Sequence, residues 1–216
     1  MPTRSADAEP SRGHKKRART RNQLIDAGVQ VLARKGESLT ISDVVAEAQV
    51  SNGTFYNYFA DREELIDALA EHSLLSLATR AAIQTTDKDP ARRFAFATLR
   101  VLQCATEDPT WGRAVLRLSG NRRSFPREMH RYMREDLATG FDQGRFEVGP
   151  DEITLDLITG LILMSIRRIV RGDARPDYAE RVVTRALTTL GVPKDEATIL
   201  AANAAADYAG CAEPSE

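Results

Sequence analysis

The 216-residue chain is 42% hydrophobic and 28% charged, a composition typical of globular rather than disordered proteins. Its net charge of −1 argues against non-specific nucleic-acid binding by the whole surface. The most apolar run, Leu157 to Ile166, is too short to span a bilayer. Cys104 and Cys211 form no CxxC pattern, and the N-terminus lacks an apolar signal region. We therefore expect a cytoplasmic protein with reduced thiols and no membrane partner.

Basic charge is concentrated near the N-terminus. Between Arg12 and Arg21 the chain has six Lys or Arg residues and no acidic one. Residues 1–16 predict a flexible basic arm, followed by a helix from about Thr20 to Lys35 that Gly36 ends. The arm could enter a minor groove, where arginine is attracted, or it could only add charge.

Residues 40–59 predict two short helices joined by a tight turn. Thr40 precedes Asp43 by three residues, as in a capping box, and Ser51 can cap the second helix. That second helix has no Leu, Ile or Val, but it carries hydrogen-bonding and aromatic side chains. Such a helix is suited to being held against a polar partner. DNA is the first candidate, because helix-turn-helix units place their second helix in the major groove.

The rest of the chain also predicts helices. Asp61 and Glu64 form a second capping-box pattern, and no segment shows the alternation of a strand or an internal repeat. Proline is tolerated in the first turn of a helix, and six prolines each mark such a start: Pro90, Pro109, Pro126, Pro150, Pro176 and Pro193. The predicted fold class is therefore all-α.

From Arg17 to Leu77 the sequence resembles the DNA-binding domain of TetR-type transcriptional regulators. The resemblance rests on ARKG at 33–36, TISDVVAEAQVSNGTFYNYF at 40–59 and DREELIDAL at 61–69, and it resumes with DQGRFEVGPDEITLDLITGLILMSI at 142–166. It implies a three-helix DNA-binding domain with a helix-turn-helix over 17–77, a helical ligand-binding and dimerisation domain over 78–210, and a tail over 211–216. Four residues depart from the common family pattern: Gly28, Leu32, Tyr58 and Arg62 stand in place of Ala, Phe, His and Lys.

The resemblance implies that DNA contacts come mainly from the second and third helices. Tyr56 and Tyr58 would contact phosphates. Asn52, Thr54 and Asn57 are candidate base readers, because Asn can pair with adenine and the Thr methyl can meet thymine; contact with sugar, phosphate or water alone is the alternative. The full expected set is Arg19, Arg21, Thr40, Ser42, Ser51, Asn52, Gly53, Thr54, Tyr56, Asn57, Tyr58 and Arg62.

The helix predicted over residues 152–170 is apolar around most of its circumference, so it must be covered on two sides. The protein's own core covers one side. The resemblance implies that a second copy covers the other, and a central helix in a monomer is the alternative. The expected interface residues are Leu157, Leu161, Met164, Val182, Ala186 and Leu190.

The C-terminal half is also expected to hold an apolar ligand pocket with one polar anchor. Its candidate lining residues are Phe94, Arg100, Cys104, Trp111, Met129, His130, Met133 and Phe141. Methionine and aromatic side chains suit an adaptable pocket, although each of them also suits an ordinary core.

No motif supports an enzyme, a metal site or a cofactor site: there is no nucleophile motif, P-loop or dinucleotide turn, and the three histidines are scattered. The leading interpretation is a homodimeric repressor that binds a near-palindromic operator and is released by a small-molecule effector. Its expected partners are operator DNA, a second copy and that effector. One alternative keeps DNA binding, with a C-terminal half that only dimerises or docks another protein. The other is an enzyme or carrier on a helical scaffold.

Overall fold

The structure, a computed structural model, describes residues 12–82, 88–121 and 124–212. Over these residues the chain is helical and contains no strand, which confirms the predicted all-α class. The helices are α1 (Arg12–Lys35), α2 (Ile41–Glu47), α3 (Asn52–Tyr56), α4 (Arg62–Ala82), α5 (Pro90–Glu107), α6 (Pro109–Asn121), α7 (Ser124–Asp142), α8 (Glu152–Val170), α9 (Tyr178–Thr189) and α10 (Lys194–Ala212). Among the described residues, no helix has the length and apolar character needed to cross a membrane.

The chain divides into two compact units, residues 1–69 and 70–216, and the boundary falls within α4. The expected domain boundary at 77/78 lies in the same helix. Residues 1–11 of the expected arm lie outside the described residues.

The first helix begins at Arg12, whereas the sequence pattern predicted a start near Thr20. The residues from Arg12 to Arg19 are mainly Arg, Lys and Ala, which favour helix, and they contain no proline or β-branched residue. The last residues of the predicted basic arm are therefore the first two turns of α1. This changes where their charges lie, because side chains on a helix have fixed positions relative to its neighbours.

The first unit is built around large side chains from all four of its helices. Leu24 in α1, Val44 in α2, Phe55 in α3, and Leu65 and Leu69 in α4 are fully buried. Gly28 in α1 faces Leu69 so closely that an added Cβ would lie 2.8 Å from a Leu69 methyl carbon. Glycine at this position therefore makes room for a large neighbour from α4.

The second unit is organised around α5, which packs against α6, α7, α8, α9 and α10. The proline pattern is confirmed for Pro90 and Pro109, the first residues of α5 and α6, and for Pro126, the third residue of α7. Pro150, Pro176 and Pro193 instead lie one or two residues before their helices. The backbone N–H of Ala91 donates to the Asp89 carboxylate over 2.9 Å, so Asp89 caps α5.

The turn after α7 contains Gly144 and Phe146, which belong to the second segment on which the family resemblance rests. Gly144 has a φ of +65°, a conformation that glycine adopts without steric cost and that commonly ends a helix. The chain then places the buried Phe146 ring against Gly140 and edge-on to Phe94, with ring centroids 6.2 Å apart. Phe94 therefore has a packing role in the core.

Arg145, in the same turn, joins three parts of the second unit. Its guanidinium donates to Asp89 at the start of α5 over 2.8 Å and to Glu196 in α10 over 2.6 Å. Burial raises the pKa of the Asp89 carboxyl, but the bonds from Arg145 and the Ala91 N–H outweigh it, so the net pKa lies below its ordinary value.

Candidate nucleic-acid interface

The start of α2 is fixed by a capping box, as its sequence predicts. The Thr40 hydroxyl accepts from the Asp43 N–H over 3.2 Å, and the Asp43 carboxylate accepts from the Thr40 N–H over 3.2 Å. The Lys35 ammonium lies 2.6 Å from the same carboxylate. These bonds, with Lys35 as the largest cause, hold the pKa of Asp43 below its ordinary value.

The turn between α2 and α3 contains a residue that the sequence analysis did not single out. Gln49 has a φ of +55°, and it is the one non-glycine residue with positive φ among those that the structure describes. The Gln49 N–H donates to Ala46 and the Val50 N–H donates to Val45, which is the hydrogen-bond pattern of a Schellman helix end. Its left-handed position is usually occupied by glycine, so Gln49 stores strain in this turn.

Helix α3 has two different faces, and Ser51 caps its start by accepting from the Thr54 N–H over 3.1 Å. Phe55 is fully buried on one face. The other face is exposed: Tyr56 is 57% exposed, and Asn52, Gly53 and Asn57 around it are also exposed. A helix held by its aromatic residue presents polar groups outward, as a recognition helix does.

Thr54 and Thr40, two of the residues expected to contact DNA, also make contacts within the protein. The hydroxyl of half-buried Thr54 lies 2.9 Å from that of Ser51, so it belongs to the α3 cap, and the Thr54 methyl is the group left for a thymine contact. Ser42 is exposed on α2, and the Thr40 hydroxyl donates to Asp43 over 2.7 Å. Thr40 therefore acts as a cap before any phosphate contact.

The extended α1 brings two further cations to α3. Lys16, Arg17, Asn57 and Tyr58 line one groove of about 430 Å³. The Arg17 guanidinium lies 5.9 Å from the centre of the Tyr58 ring, within cation–π range. Neither cation was among the expected DNA contacts, because Lys16 was assigned to the flexible arm and the first helix was predicted to begin only near Thr20.

The two expected arginines of α1 are exposed on different parts of its surface. The Arg21 guanidinium lies 5.5 Å from the centre of the Phe59 ring, at the end of the recognition segment. Arg19 lines a separate polar groove with Gln23, Glu47 and Gln49. Arg21 is thus beside the α3 segment, and Arg19 is beside the strained turn.

Arg62, an expected phosphate contact, makes three contacts within the protein. Its Nε donates to the Leu39 carbonyl over 2.9 Å, and a terminal nitrogen donates to the Glu37 carbonyl over 2.8 Å. The other terminal nitrogen lies 2.6 Å from the Glu63 carboxylate. Arg62 therefore ties the start of α4 to the turn that precedes α2.

The expected ligand-pocket residues do not form one set. Phe94, Cys104 and Trp111 are buried, and the Thr159 hydroxyl donates to the Met133 sulfur over 3.7 Å. Phe141, also expected to line the pocket, is 46% exposed. The side chains of Met129 and His130 lie outside the described residues.

Arg100 has a buried Nε atom with no hydrogen-bond partner among the described residues. It shares a face of α5 with Cys104 and Glu107, since residues three or four apart in a helix are neighbours. The Tyr208 hydroxyl of α10 donates to Glu107 over 2.6 Å. Burial, and then this carboxylate, raise the pKa of Tyr208, whereas the nearby Arg100 lowers it. This cluster combines one donor without a partner and a neutral phenol.

The expected interface residues of α8 are exposed or half-buried, whereas those expected from α9 are buried. Leu157 and Met164 are 56% and 58% exposed, and Leu161 is half-buried. Ile153, which the sequence analysis did not include, is 70% exposed on the same face. The expected interface residues of α9 are buried in the protomer's own core and cannot meet a partner: Val182, Ala186 and Leu190.

Comparison with known families accounts for both units. The family described as "Tetracyclin repressor-like, C-terminal domain" matches residues 89–203, and the family "Bacterial regulatory proteins, tetR family" matches residues 24–69. The chain belongs to the TetR family of transcriptional regulators. The predicted family and the predicted DNA-binding class are thereby confirmed.

Two HTH-type transcriptional regulators are similar to part of the chain. It is 31% identical over 67 residues to the uncharacterized HTH-type regulator Rv0472c of Mycobacterium tuberculosis, a match that covers 31% of this chain and 29% of that protein. It is 40% identical over 53 residues to the uncharacterized regulator YvdT of Bacillus subtilis, covering 24% and 27% of the two chains. These matches thus span less than a third of either relative.

One solved structure is similar over most of the chain. The complex of RolR (NCGL1110) with the ligand resorcinol is 28% identical, with a TM-score of 0.66, and the match covers 87% of this chain and 95% of that one. Within this shared TetR-family fold, the strained Gln49 turn and the Arg62 contacts show how this sequence builds the unit that carries its recognition helix.

Proposed function

We propose that this TetR-family protein is a repressor that binds a near-palindromic operator as a homodimer and is released by a small molecule. The observation that carries the DNA-binding part is the exposed polar face of α3, which has Phe55 buried behind it. A helix fixed in this way can enter the major groove without disturbing the core. Two copies related by a two-fold axis would then meet two half-sites about 34–36 Å apart.

Roles within the interface follow from the chemistry of each side chain. Asn52 and Asn57 can pair with adenine edges, whereas the hydroxyls of Tyr56 and Tyr58 can donate to phosphates. Arg17 would reinforce the phosphate contact of Tyr58, because its charge lies over that ring. Base preference would therefore depend on the two asparagines, and general affinity on the tyrosines and α1 cations.

The homodimer is supported by the exposed side of α8. Ile153, Leu157 and Met164 are large apolar side chains at helical spacing, and each is more than half exposed in the single chain. A continuous apolar stripe of this kind usually marks an interaction site. Burial against a second copy would remove it from water.

The effector is proposed to bind in the second unit and to carry a hydrogen-bond acceptor. Its support is the buried Arg100 Nε, since an unpaired buried donor costs about 1–3 kcal/mol until it finds an acceptor. RolR, similar over most of this chain, is known with resorcinol bound, so small phenols and carboxylates are the first compounds to test.

The experiment is binding selection on sheared genomic DNA from the source organism, at fixed salt because affinity falls steeply with salt concentration. Enrichment of a few fragments with inverted repeats is expected. Uniform recovery of all fragments by ligand-stripped protein would refute the proposal.

The selected fragment then serves to test the effector. Titration with phenols and carboxylates should release wild-type protein from the DNA, with a coupling of about 1–3 kcal/mol. An Arg100→Leu variant should bind the fragment normally and resist release. Equal operator affinity with and without every compound that binds the protein would contradict release by a ligand.

A further inference from the structure

The outward side of α9 is cationic. With the start of α10 it forms a groove of about 410 Å³ lined by Arg181, Thr184, Arg185, Thr188, Lys194 and Thr198. Three of these six residues carry a positive charge and none is acidic. We name these six residues the α9 groove.

The charges of the α9 groove are only weakly compensated within the protomer. Arg181 lies 3.7 Å from Asp177, and both side chains are about 60% exposed, so this ion pair contributes little. The hydroxyls of Thr184 and Thr188 donate to backbone carbonyls of their own helix, over 3.0 and 2.9 Å. The groove therefore offers cations and small side chains, and a complementary occupant is acidic and able to approach closely.

Helix α8 of the same chain has matching properties. Glu152 and Asp156 are exposed and four residues apart, so they lie on one side of α8. They follow the edge of the exposed stripe that contains Ile153, Leu157 and Met164. This half of α8 presents carboxylates beside apolar surface, whereas its last turn carries Arg167 and Arg168.

The α9 groove and the α8 stripe are on neighbouring helices. Helices α8 and α9 pack against each other, and the hydroxyls of Tyr178 and Ser165 lie 3.3 Å apart between them. A second copy that covers the apolar stripe would therefore also meet α9. Because Val182 and Ala186 are used in the protomer core, the surface that α9 offers is its cationic one.

We propose that the α9 groove receives the acidic half of α8 from a second copy, so that Arg181 and Arg185 pair with Glu152 and Asp156 of that copy. This inference rests on the proposed homodimer and adds the pairing that sets its register. In an isologous dimer every contact occurs twice, so the two cationic grooves meet the two acidic segments. The aliphatic stems of the arginines would cover the apolar stripe while their charged ends reach the carboxylates.

The symmetry supplies a test with two charge-reversed chains. One variant carries Arg181→Glu and Arg185→Glu, and the other carries Glu152→Lys and Asp156→Lys. In a homodimer of either variant, both contacts join like charges. In a mixed dimer, both contacts again join opposite charges. The measurement is the dimer dissociation constant from sedimentation equilibrium, for wild type, for each variant and for an equimolar mixture.

Each variant alone is expected to have a dimer dissociation constant at least about tenfold above that of wild type. Like charges in contact raise the free energy of the dimer, whereas opposite charges lower it. The equimolar mixture should form mixed dimers, with a dissociation constant within about threefold of the wild-type value. Arg117→Glu on the exposed surface of α6 is a matched control that should leave dimerisation unchanged. Far-UV circular dichroism confirms that each variant retains its helices.

Other outcomes separate this inference from its premise. A wild-type protein that stays monomeric at every concentration refutes the proposed homodimer itself. Variants that dimerise as well as wild type, or a mixture that does not restore dimerisation, overturn the pairing while the homodimer stands. A third outcome is that inorganic phosphate binds wild type but not the Arg181 and Arg185 variant, while both proteins dimerise equally. The groove would then be a small-anion site, and the inference would be wrong.

The wild-type protein provides a second measurement that does not depend on the folding of a variant. If these ion pairs set the register, the dimer dissociation constant should rise as salt increases from 50 to 500 mM, because the Debye length falls roughly threefold over this range. A dissociation constant that falls or stays constant over this range would indicate a purely apolar interface.

Discussion

Replacement of Gln49 by glycine should stabilise the DNA-binding unit. A non-glycine residue in the left-handed conformation costs about 1–2 kcal/mol. Glycine avoids this cost but loses about 0.5–1 kcal/mol through its greater freedom in the unfolded chain. With the observed φ of +55° and the Schellman hydrogen bonds retained, the expected net gain is about 0.5–1 kcal/mol.

Amide hydrogen exchange of peptides from residues 41–59 is the appropriate assay, because it reports on the first unit alone. Protection there should increase by about two- to fivefold, as a gain of this size implies. Gln49→Ala is the matched control: it keeps a Cβ at positive φ and should give no gain. Fluorescence of Trp111, the single tryptophan, reports on the second unit in the same samples.

The reasoning would be refuted if Gln49→Gly left exchange unchanged or faster while Gln49→Ala behaved as wild type. That result would mean that Gln49 is unstrained in the turn, because any contribution of its side chain, which lines the groove with Arg19, would also be lost in Gln49→Ala.

Three further predictions concern single side chains. Arg62→Ala should destabilise the first unit by about 1–3 kcal/mol in chemical denaturation, through loss of charged hydrogen bonds to two carbonyls, and Arg62→Lys should recover part of this. Tyr56→Phe should weaken binding about equally for all operator sequences, whereas Asn57→Ala should change sequence preference by about 1–3 kcal/mol; a base-specific effect of Tyr56→Phe would reverse these roles. Asp89 has a lowered pKa, so its contribution to stability is present above its ordinary value of 3.8 and is lost as pH falls through the lowered pKa. Asp89→Asn keeps a capping oxygen and should flatten the pH dependence of unfolding in that acid range; an unchanged curve would contradict the Arg145 pairing.

Local features of this chain were predictable because their causes lie within a few residues. The Thr40 and Asp43 capping box needs only two side chains three residues apart, and the structure has both of its bonds. Pro90 and Pro109 likewise begin their helices because a missing N–H costs nothing in the first turn. The same locality holds for Ser51 and for the turn at Gly144.

Features that depend on distant neighbours were not predictable in the same way. Arg62 reaches carbonyls 23 and 25 residues earlier in the chain, and no short pattern encodes that contact. The start of α1 was misplaced because charge was taken as a sign of a mobile arm, although Lys and Arg are good helix formers.

The error at α9 has a physical reason that also explains α8. An amphipathic helix has one apolar stripe, and the protomer's own core takes it, as it does with Val182 and Leu190. A helix that is apolar around most of its circumference has apolar surface left over, and α8 exposes Ile153 and Leu157. Surface left for a partner is therefore expected from α8, and α9 can contribute only its polar side.

Arg62 also bears on how an effector could act on DNA binding. In the proposed mechanism, α4 contains the boundary between the units, and Arg62 ties its first turn to the segment that leads into α2. A displacement of that turn would pass to α2 and α3 while these bonds hold. The coupling needed for release is about 1–3 kcal/mol, which is similar to what charged hydrogen bonds contribute. Arg62→Ala should therefore reduce the effector's influence on operator affinity as well as the affinity itself, and an unchanged ratio of affinities with and without effector would place the coupling elsewhere in α4.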